Sequence, residues 1–217
     1  MSYRKEFIKF MVESGVLTFG DFVTKSGRKT PYFVNTGNYR TGRQIARLGR
    51  FYAECIMENI KSGKIREDIT TLFGPAYKGI PIVVSASAAL SEHFNKEVNF
   101  CFNRKEEKDH GEGGSIIGYK FCDKDKILLI EDVITAGTAV RETLPIIKKQ
   151  AEAEVCGLII SVDRMERGQG AKTAIQEIKD EFGINTYPIV TVRDIINEVD
   201  IDEKIKNRME DYFKMYC

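Results

Sequence analysis

From residue 70 onward the sequence repeats one rhythm: a short apolar run, a turn of glycine or polar residues, then a stretch with helical spacing. Apolar runs at 70–73, 98–102, 126–130, 155–162 and 184–190 read as strands. Stretches at 80–89, from the turn after 130 to about 150, and 172–181 read as helices between them. Strand, helix, strand in succession builds right-handed βαβ units. The expected fold is therefore α/β, a mainly parallel twisted sheet flanked by helices on both faces.

Upstream, residues 4–14 read as an amphipathic helix with Phe7, Ile8, Met11 and Val12 on one face and Gly15 as its stop. Residues 19–39 are turn-rich and read as short strands or loop forming a cap. Residues 44–59 and 201–216 read as further helices. The expected organisation is an N-terminal helix and hood over 1–40, and an α/β core with a C-terminal helix over 41–217, in one compact unit. Two segments fit no regular element: the polar, glycine-rich 103–118 and the turn after 126–130. A loop as long as the first, inside a compact domain, is a functional lid or a disordered stretch.

Composition narrows the function classes. A chain of 217 residues buries one good core. The formal net charge is +1, so the overall field is weak and generic binding to nucleic acid or a membrane surface is not expected. Anion chemistry has to come from local clusters. No apolar run approaches a bilayer span, and MSYRKEFIKFMVES lacks the apolar core of a signal peptide. The five cysteines are scattered and form no CxxC pair, so neither a disulfide framework nor a zinc site is expected. They read mostly as small core residues in a reduced, cytoplasmic protein.

The segment ILLIEDVITAGTAV, residues 127–140, carries the most chemistry. An apolar strand runs into two acids, Glu131 and Asp132. The small-residue turn Thr135-Ala136-Gly137-Thr138 follows, and a helix begins. Open α/β sheets bind ligands at the carboxyl ends of their strands. A helix start with Gly and Thr offers free amides, hydroxyls and a positive dipole end, which suits a phosphate. The acids can accept hydrogen bonds from sugar hydroxyls, so the ligand expected is a phosphorylated sugar. The alternative is a tight turn with a Thr N-cap. Adjacent carboxylates repel and need a ligand or cation beside them, which favours the site. Neither a Gly-Lys-Ser/Thr phosphate loop nor a GxGxxG dinucleotide fingerprint is present.

The pattern EDVITAGTA, with the apolar strand before it, resembles the PRPP-binding motif of the type I phosphoribosyltransferases. The resemblance implies that fold, with Glu131, Asp132, Val133, Ile134, Thr135, Ala136, Gly137, Thr138 and Ala139 around PRPP. It also implies Mg²⁺ as cofactor, held by substrate and water oxygens with no direct protein ligand. GPAYKG, residues 74–79, is similar to the pyrophosphate loop of the orotate phosphoribosyltransferases, and NRKEEKDHGEGG, residues 103–114, to their catalytic loop. Tyr77, Lys78, Arg104, Lys105, Lys108 and His110 are then the pyrophosphate handlers. Lys108 and His110, with Glu131 and Asp132, are the catalytic candidates. By composition alone, 103–114 would pass as a solvated charge run.

FVTKSGRKTPYFVNTG, residues 22–37, is similar to the hood of the same family. On that resemblance Lys25 lies near PRPP, and Phe33 and Val34 contact the base, Val34 standing where many members have Phe. Arg164 follows the strand predicted at 155–162 and can clamp a carboxylate with two parallel hydrogen bonds. The alternative is a surface Arg paired with Asp163 or Glu166. Thr135 is placed to touch both phosphate and orotate. The partners implied are PRPP and orotate, and a homodimer in which the lid, 103–118, is shared between subunits. A type I enzyme for a purine or uracil, and a PRPP-sensing regulatory module, stay open on the 127–140 motif alone.

From its place in the lid, Lys108→Ala is expected to lower kcat about 10²-fold or more, the scale of losing a well-placed charge stabiliser. Steady-state turnover equal to wild type would remove Lys108 from the mechanism.

Overall fold

The computed structural model describes residues 2–24, 27–105, 115–134, 137–167 and 170–217. Helix α1 (Tyr3–Glu13) opens the chain with Ser2 as its N-cap. Strands β1 (Leu17–Val23) and β2 (Lys29–Val34) pair antiparallel as a separate two-stranded sheet. A short 3-10 helix, Thr36–Asn38, leads to α2 (Gly42–Lys61), which starts with a Thr41/Gln44 capping box.

The second sheet has six strands: β3 (Thr71–Phe73), β4 (Asn99–Asn103), β5 (Ile116–Gly118), β6 (Lys126–Val133), β7 (Glu154–Asp163) and β8 (Thr186–Thr191). Their spatial order is β5-β4-β3-β6-β7-β8. All neighbouring pairs are parallel except β4 with β5. Between them run α3 (Gly79–Phe94), α4 (Thr138–Gln150) and α5 (Ala174–Phe182), and α6 (Val192–Glu198) and α7 (Glu203–Tyr216) follow β8.

The sequence of β6 explains its central place. Leu128 and Ile130 join the core that includes side chains of α1, α2, α3, α6 and α7. Ile127 and Leu129 join the opposite core, with Val140 and Ile147 of α4 and Ile178 of α5. Alternate side chains of a strand leave opposite faces, so a strand covered on both sides is apolar throughout. The chain winds from β3 toward β4 in one direction and from β6 toward β7 and β8 in the other. The order therefore reverses between β3 and β6. Crevices at such a point, beyond the carboxyl ends of the strands, are where open α/β sheets take ligands. The loops after β3, β4, β6 and β7 all leave from that edge.

Three expectations need correction. The segment 103–118 is not wholly irregular: its last residues form β5, and Asn103 stands opposite Ile116. Glu131 and Asp132 lie inside β6, which continues to Val133, rather than in the turn after it. Of the cysteines, only Cys55 and Cys101 are buried; Cys156 and Cys217 are half-buried and Cys122 is exposed, all five being free. Helix α6 was not anticipated. A Thr191/Asp194 capping box starts it directly at the end of β8. Among the described residues no helix is long and apolar enough to cross a membrane.

Helices α2 and α3 meet closely at Gly49, where an added Cβ would stand 2.4 Å from the Ser85 carbonyl oxygen. That oxygen belongs to a packed helix and cannot swing aside. Gly49→Ala is expected to destabilise the fold by about 1–3 kcal/mol, the range for an overpacked core. Gly42→Ala, where a Cβ meets nothing within 4 Å, is the control and should melt at or above wild type. Chemical denaturation of both variants checks the pair.

Candidate active site

At the carboxyl end of β6 two carboxyl groups sit almost wholly inside the protein, Glu131 at 8% and Asp132 at 7% exposure. The Asp132 carboxylate is held in place by groups from distant parts of the chain. Thr36 Oγ1 donates to Asp132 Oδ2 at 2.6 Å, and Lys78 Nζ donates to the same oxygen at 2.9 Å. Lys78 also reaches Thr36 Oγ1 at 3.2 Å. The backbone beneath is fixed by Tyr52 OH on the Glu131 carbonyl and Ser161 Oγ on the Asp132 carbonyl, both at 2.7 Å. Asp132 N–H donates to Glu131 Oε1 at 3.0 Å.

The two acids titrate in opposite directions. Burial, and then the neighbouring charge of Asp132, push Glu131 well above the usual carboxylate range. Burial works against the charge of Asp132 too, but hydrogen bonds from Thr36 and Lys78 outweigh it, and Asp132 stays below its ordinary value. The pair thus offers one firmly ionised acceptor and one carboxyl that holds its proton more readily. Together they can accept and donate hydrogen bonds to a vicinal diol.

Lys78 is positioned by the close packing of its own loop. A Cβ on Gly74 would stand 2.4 Å from the Gly79 carbonyl oxygen, and one on Gly79 would stand 2.7 Å from the Gly74 carbonyl carbon. Only glycine at both positions lets the turn fold this tightly. Ala76 N–H donates to Asn103 Oδ1 at 2.9 Å, tying this loop to the end of β4. The Ala76–Tyr77 peptide is cis, and Tyr77 is 69% exposed.

The start of α4 lies next to the acids. Gly137 caps it with φ 70°, a left-handed conformation that favours glycine. A Cβ there would come within 2.9 Å of Arg141 Nη1. Thr138 is exposed at the helix start and Ala139 is half-covered, as are Val133 and Ile134. Just after β4, Arg104 N–H donates to the Ser115 carbonyl at 2.7 Å, and Lys105 Nζ lies 3.4 Å from Glu142 Oε2. The Arg104 Nε atom is buried and unpartnered among the described residues. A cavity of about 220 Å³ between the 74–79 loop, the end of β4 and α4 is lined by Asn103, Arg104, Lys105, Ala139 and Glu142.

Arg164 follows β7, as the alternation of strands and loops predicted. It is not a surface Arg: its side chain is 13% exposed. Its Nε and Nη2 both donate to Glu166 Oε1, at 2.9 and 2.6 Å, and its guanidinium lies 5.0 Å from the Tyr32 ring centroid. On β2, Phe33 is exposed and stacks on Phe22 with 5.5 Å between centroids. Val34 is half-buried and packs against the core beneath. Lys25, Lys108, His110, Thr135 and Ala136 lie outside the described residues.

Sequence reasoning missed Thr36, Tyr52 and Ser161. No local pattern marks them, since their partners stand 96, 79 and 29 positions away.

Comparison with known proteins agrees with this arrangement. The family model described as phosphoribosyl transferase domain matches residues 35–188. The orotate phosphoribosyltransferase of Clostridium beijerinckii is 56% identical, over 99% of this chain and 98% of its own length. That of Clostridium acetobutylicum is 51% identical, over 99% and 97%. The crystal structure of the Francisella tularensis orotate phosphoribosyltransferase superposes with a TM-score of 0.84 at 36% identity, covering 97% of this chain and 98% of that one.

A carboxyl whose folded pKa lies above its unfolded value favours the fold below the ordinary glutamate range. That contribution is lost as pH rises through the raised value. Glu131→Gln, neutral throughout, escapes the loss. It is expected to out-melt wild type at alkaline pH by a few degrees, at about 2–4 °C per kcal/mol for this size, with the gap closing toward acid. Thermal melts across pH check this; parallel profiles would mean that Glu131 is not shifted.

Proposed function

From the premise that this chain belongs to the orotate phosphoribosyltransferases, we propose how its residues carry that family's reaction, the transfer of 5-phosphoribosyl from PRPP to orotate, giving orotidine 5′-monophosphate and pyrophosphate. The observation that carries the reading is the buried acid pair at the end of β6, with Lys78 on it and the start of α4 beside it.

In this reading PRPP lies along that edge. Amides at 137–139, with Thr135 and Ala136 of the same turn, hold the 5-phosphate against the positive end of α4. Glu131 and Asp132 take the ribose hydroxyls. Lys78 moves from Asp132 to the diphosphate, which frees the aspartate for the sugar. The bond from C1 to the diphosphate oxygen breaks with its electron pair leaving on pyrophosphate, and the ring nitrogen of orotate forms the new bond to C1 as its N–H proton is released, balancing the proton that pyrophosphate takes up. Positive charge grows on the ribose and negative charge on the leaving group, so catalysis is positioning and charge stabilisation without a protein nucleophile. The acid pair favours the first charge. Lys78, Arg104, Lys105, Lys108 and His110 receive the second, with Tyr77 and Lys25 beside them, and Lys108 or His110 donates a proton to pyrophosphate.

The acids at this edge are hard oxygen donors, which fits Mg²⁺ held mainly by substrate and water oxygens with Glu131 and Asp132 alongside. When bound, the ion supplies Lewis-acid stabilisation of the leaving diphosphate. The base enters between the hood and the loop after β7. Phe33 offers an aromatic face, Val34 borders it, and Arg164 takes the orotate carboxylate.

The lid, the part of 103–118 between β4 and β5, closes over the diphosphate of a neighbouring subunit in a homodimer. The Lys105–Glu142 ion pair, and an Arg104 Nε without a partner among the described residues, support a lid whose cations wait for another charge. Two exposed apolar residues, Val84 of α3 and Phe100 of β4, support the dimer. They share one side of the sheet, since Phe102, two residues on from Phe100, packs with the core that α3 joins. Residues 1–40 act as the base-binding hood and 41–217 as the PRPP-binding core. Free, scattered thiols suit a cytoplasmic setting.

The test is a panel of bases supplied with PRPP and Mg²⁺, following pyrophosphate release: orotate should react and uracil or hypoxanthine should not. Arg164→Ala is expected to raise the orotate KM about tenfold or more, the loss of a charged hydrogen-bond pair, with the PRPP KM intact. An unchanged orotate KM would take Arg164 out of the base site.

A further inference from the structure

Arg164 does not stand alone. Its partner Glu166 is the hub of a cluster drawn from the hood, the loop after β7 and the C-terminal helix. Glu166 Oε1 accepts from Arg164 Nε and Nη2, from Tyr212 OH at 2.9 Å and from Tyr32 OH at 3.4 Å. Arg28 Nη1 approaches Glu166 Oε2 at 4.0 Å.

The loop is built to bring the two side chains together. Met165, between them, has φ 56°, a left-handed conformation unusual for a residue other than glycine. Its N–H is held by Asp163 Oδ1 at 2.8 Å. The end of the chain closes over the same loop. Arg167 N–H donates to the Tyr216 carbonyl at 2.9 Å and Arg167 Nη2 to the Met215 carbonyl at 3.0 Å, while Tyr212 packs edge-on to Tyr32 at 6.0 Å.

A guanidinium has two edges that can make a forked bond to a carboxylate: the side, Nε with Nη2, and the end, Nη1 with Nη2. Here Glu166 occupies the side edge, and no hydrogen bond from Nη1 forms among the described residues. We propose that Glu166 is the positioning residue of the base site. It holds the side edge of Arg164 so that the end edge faces the substrate carboxylate, and Tyr212 of the C-terminal helix locks Glu166 in that role. The inference rests on the reading of Arg164 as the orotate clamp.

Orientation and plain electrostatics make opposite demands. Glu166 is an anion next to a cation that must bind an anion, so on Coulomb's law alone its removal should tighten orotate binding. If Glu166 acts by aiming Arg164, its removal should weaken it. Steady-state kinetics on the full chain, with orotate and PRPP varied separately, decides between them.

Glu166→Ala is expected to raise the orotate KM about tenfold, with the PRPP KM and kcat near wild type. Tyr212→Phe, which keeps the ring packing, is expected to raise it about threefold, on the scale of one hydrogen bond. Glu166→Gln, which keeps an acceptor oxygen, should recover most of the loss. An orotate KM that is unchanged or lower in Glu166→Ala and Tyr212→Phe, while Arg164→Ala raises it, overturns this inference and leaves the clamp standing. KM values for both substrates rising together would make the cluster merely structural and overturn it as well. If Arg164→Ala itself leaves the orotate KM unchanged, the clamp reading fails and takes this one with it.

Discussion

Two adjacent carboxyl groups, buried at the end of a central strand, are tolerated only because other parts of the fold compensate them. Burial and mutual repulsion both oppose a second ionised carboxylate in such a place. The structure answers with a cation from the loop after β3, a hydroxyl from the 3-10 turn after β2, and two hydroxyls that pin the backbone carbonyls beneath. Those four groups come from four segments, so the site exists only once the sheet, α2, the hood and the 74–79 loop have all assembled. The reversal of strand order between β3 and β6 is what brings the cation loop and the acid strand to one edge.

That compensation also makes the site responsive. In the structure Lys78 is bound to Asp132 and Lys105 to Glu142, so each cation is neutralised by a carboxylate that a polyanionic substrate can displace. In the proposed reaction that exchange moves the positive groups onto the leaving group, where charge develops, and frees Asp132 for the sugar. At the proposed base end Arg164 is paired with Glu166 instead, and Arg28 lies 4.0 Å from that same carboxylate. Orotate's carboxylate would then meet an oriented cation without having to break its existing pair.

The parallel core was legible because β6 and β7 are apolar on both faces, a pattern that half-covered strands do not show. The acids were legible as functional, yet their place was read one element late: burial of Glu131 and Asp132 needs Thr36 and Lys78, which lie far away in the chain. Strand β5 escaped notice because it has three residues in a polar, glycine-rich segment, and its partner β4 rather than its own pattern makes it a strand. Helix α6 follows β8 without a break, so no turn residue announced it, although its Thr191/Asp194 capping box was present in the sequence. Arg164 could be found from its place after a strand. That its partner Glu166 is shared with Tyr32 and Tyr212 could not, since those residues stand 134 and 46 positions away.

The most direct measurement is a crystal structure of the protein soaked with PRPP and Mg²⁺. The account predicts the 5-phosphate on the amides at the start of α4, the ribose hydroxyls on Glu131 and Asp132, and Lys78 turned from Asp132 to the diphosphate. A phosphoribosyl group bound anywhere else, or a Lys78–Asp132 pair left intact beneath a bound substrate, would contradict it.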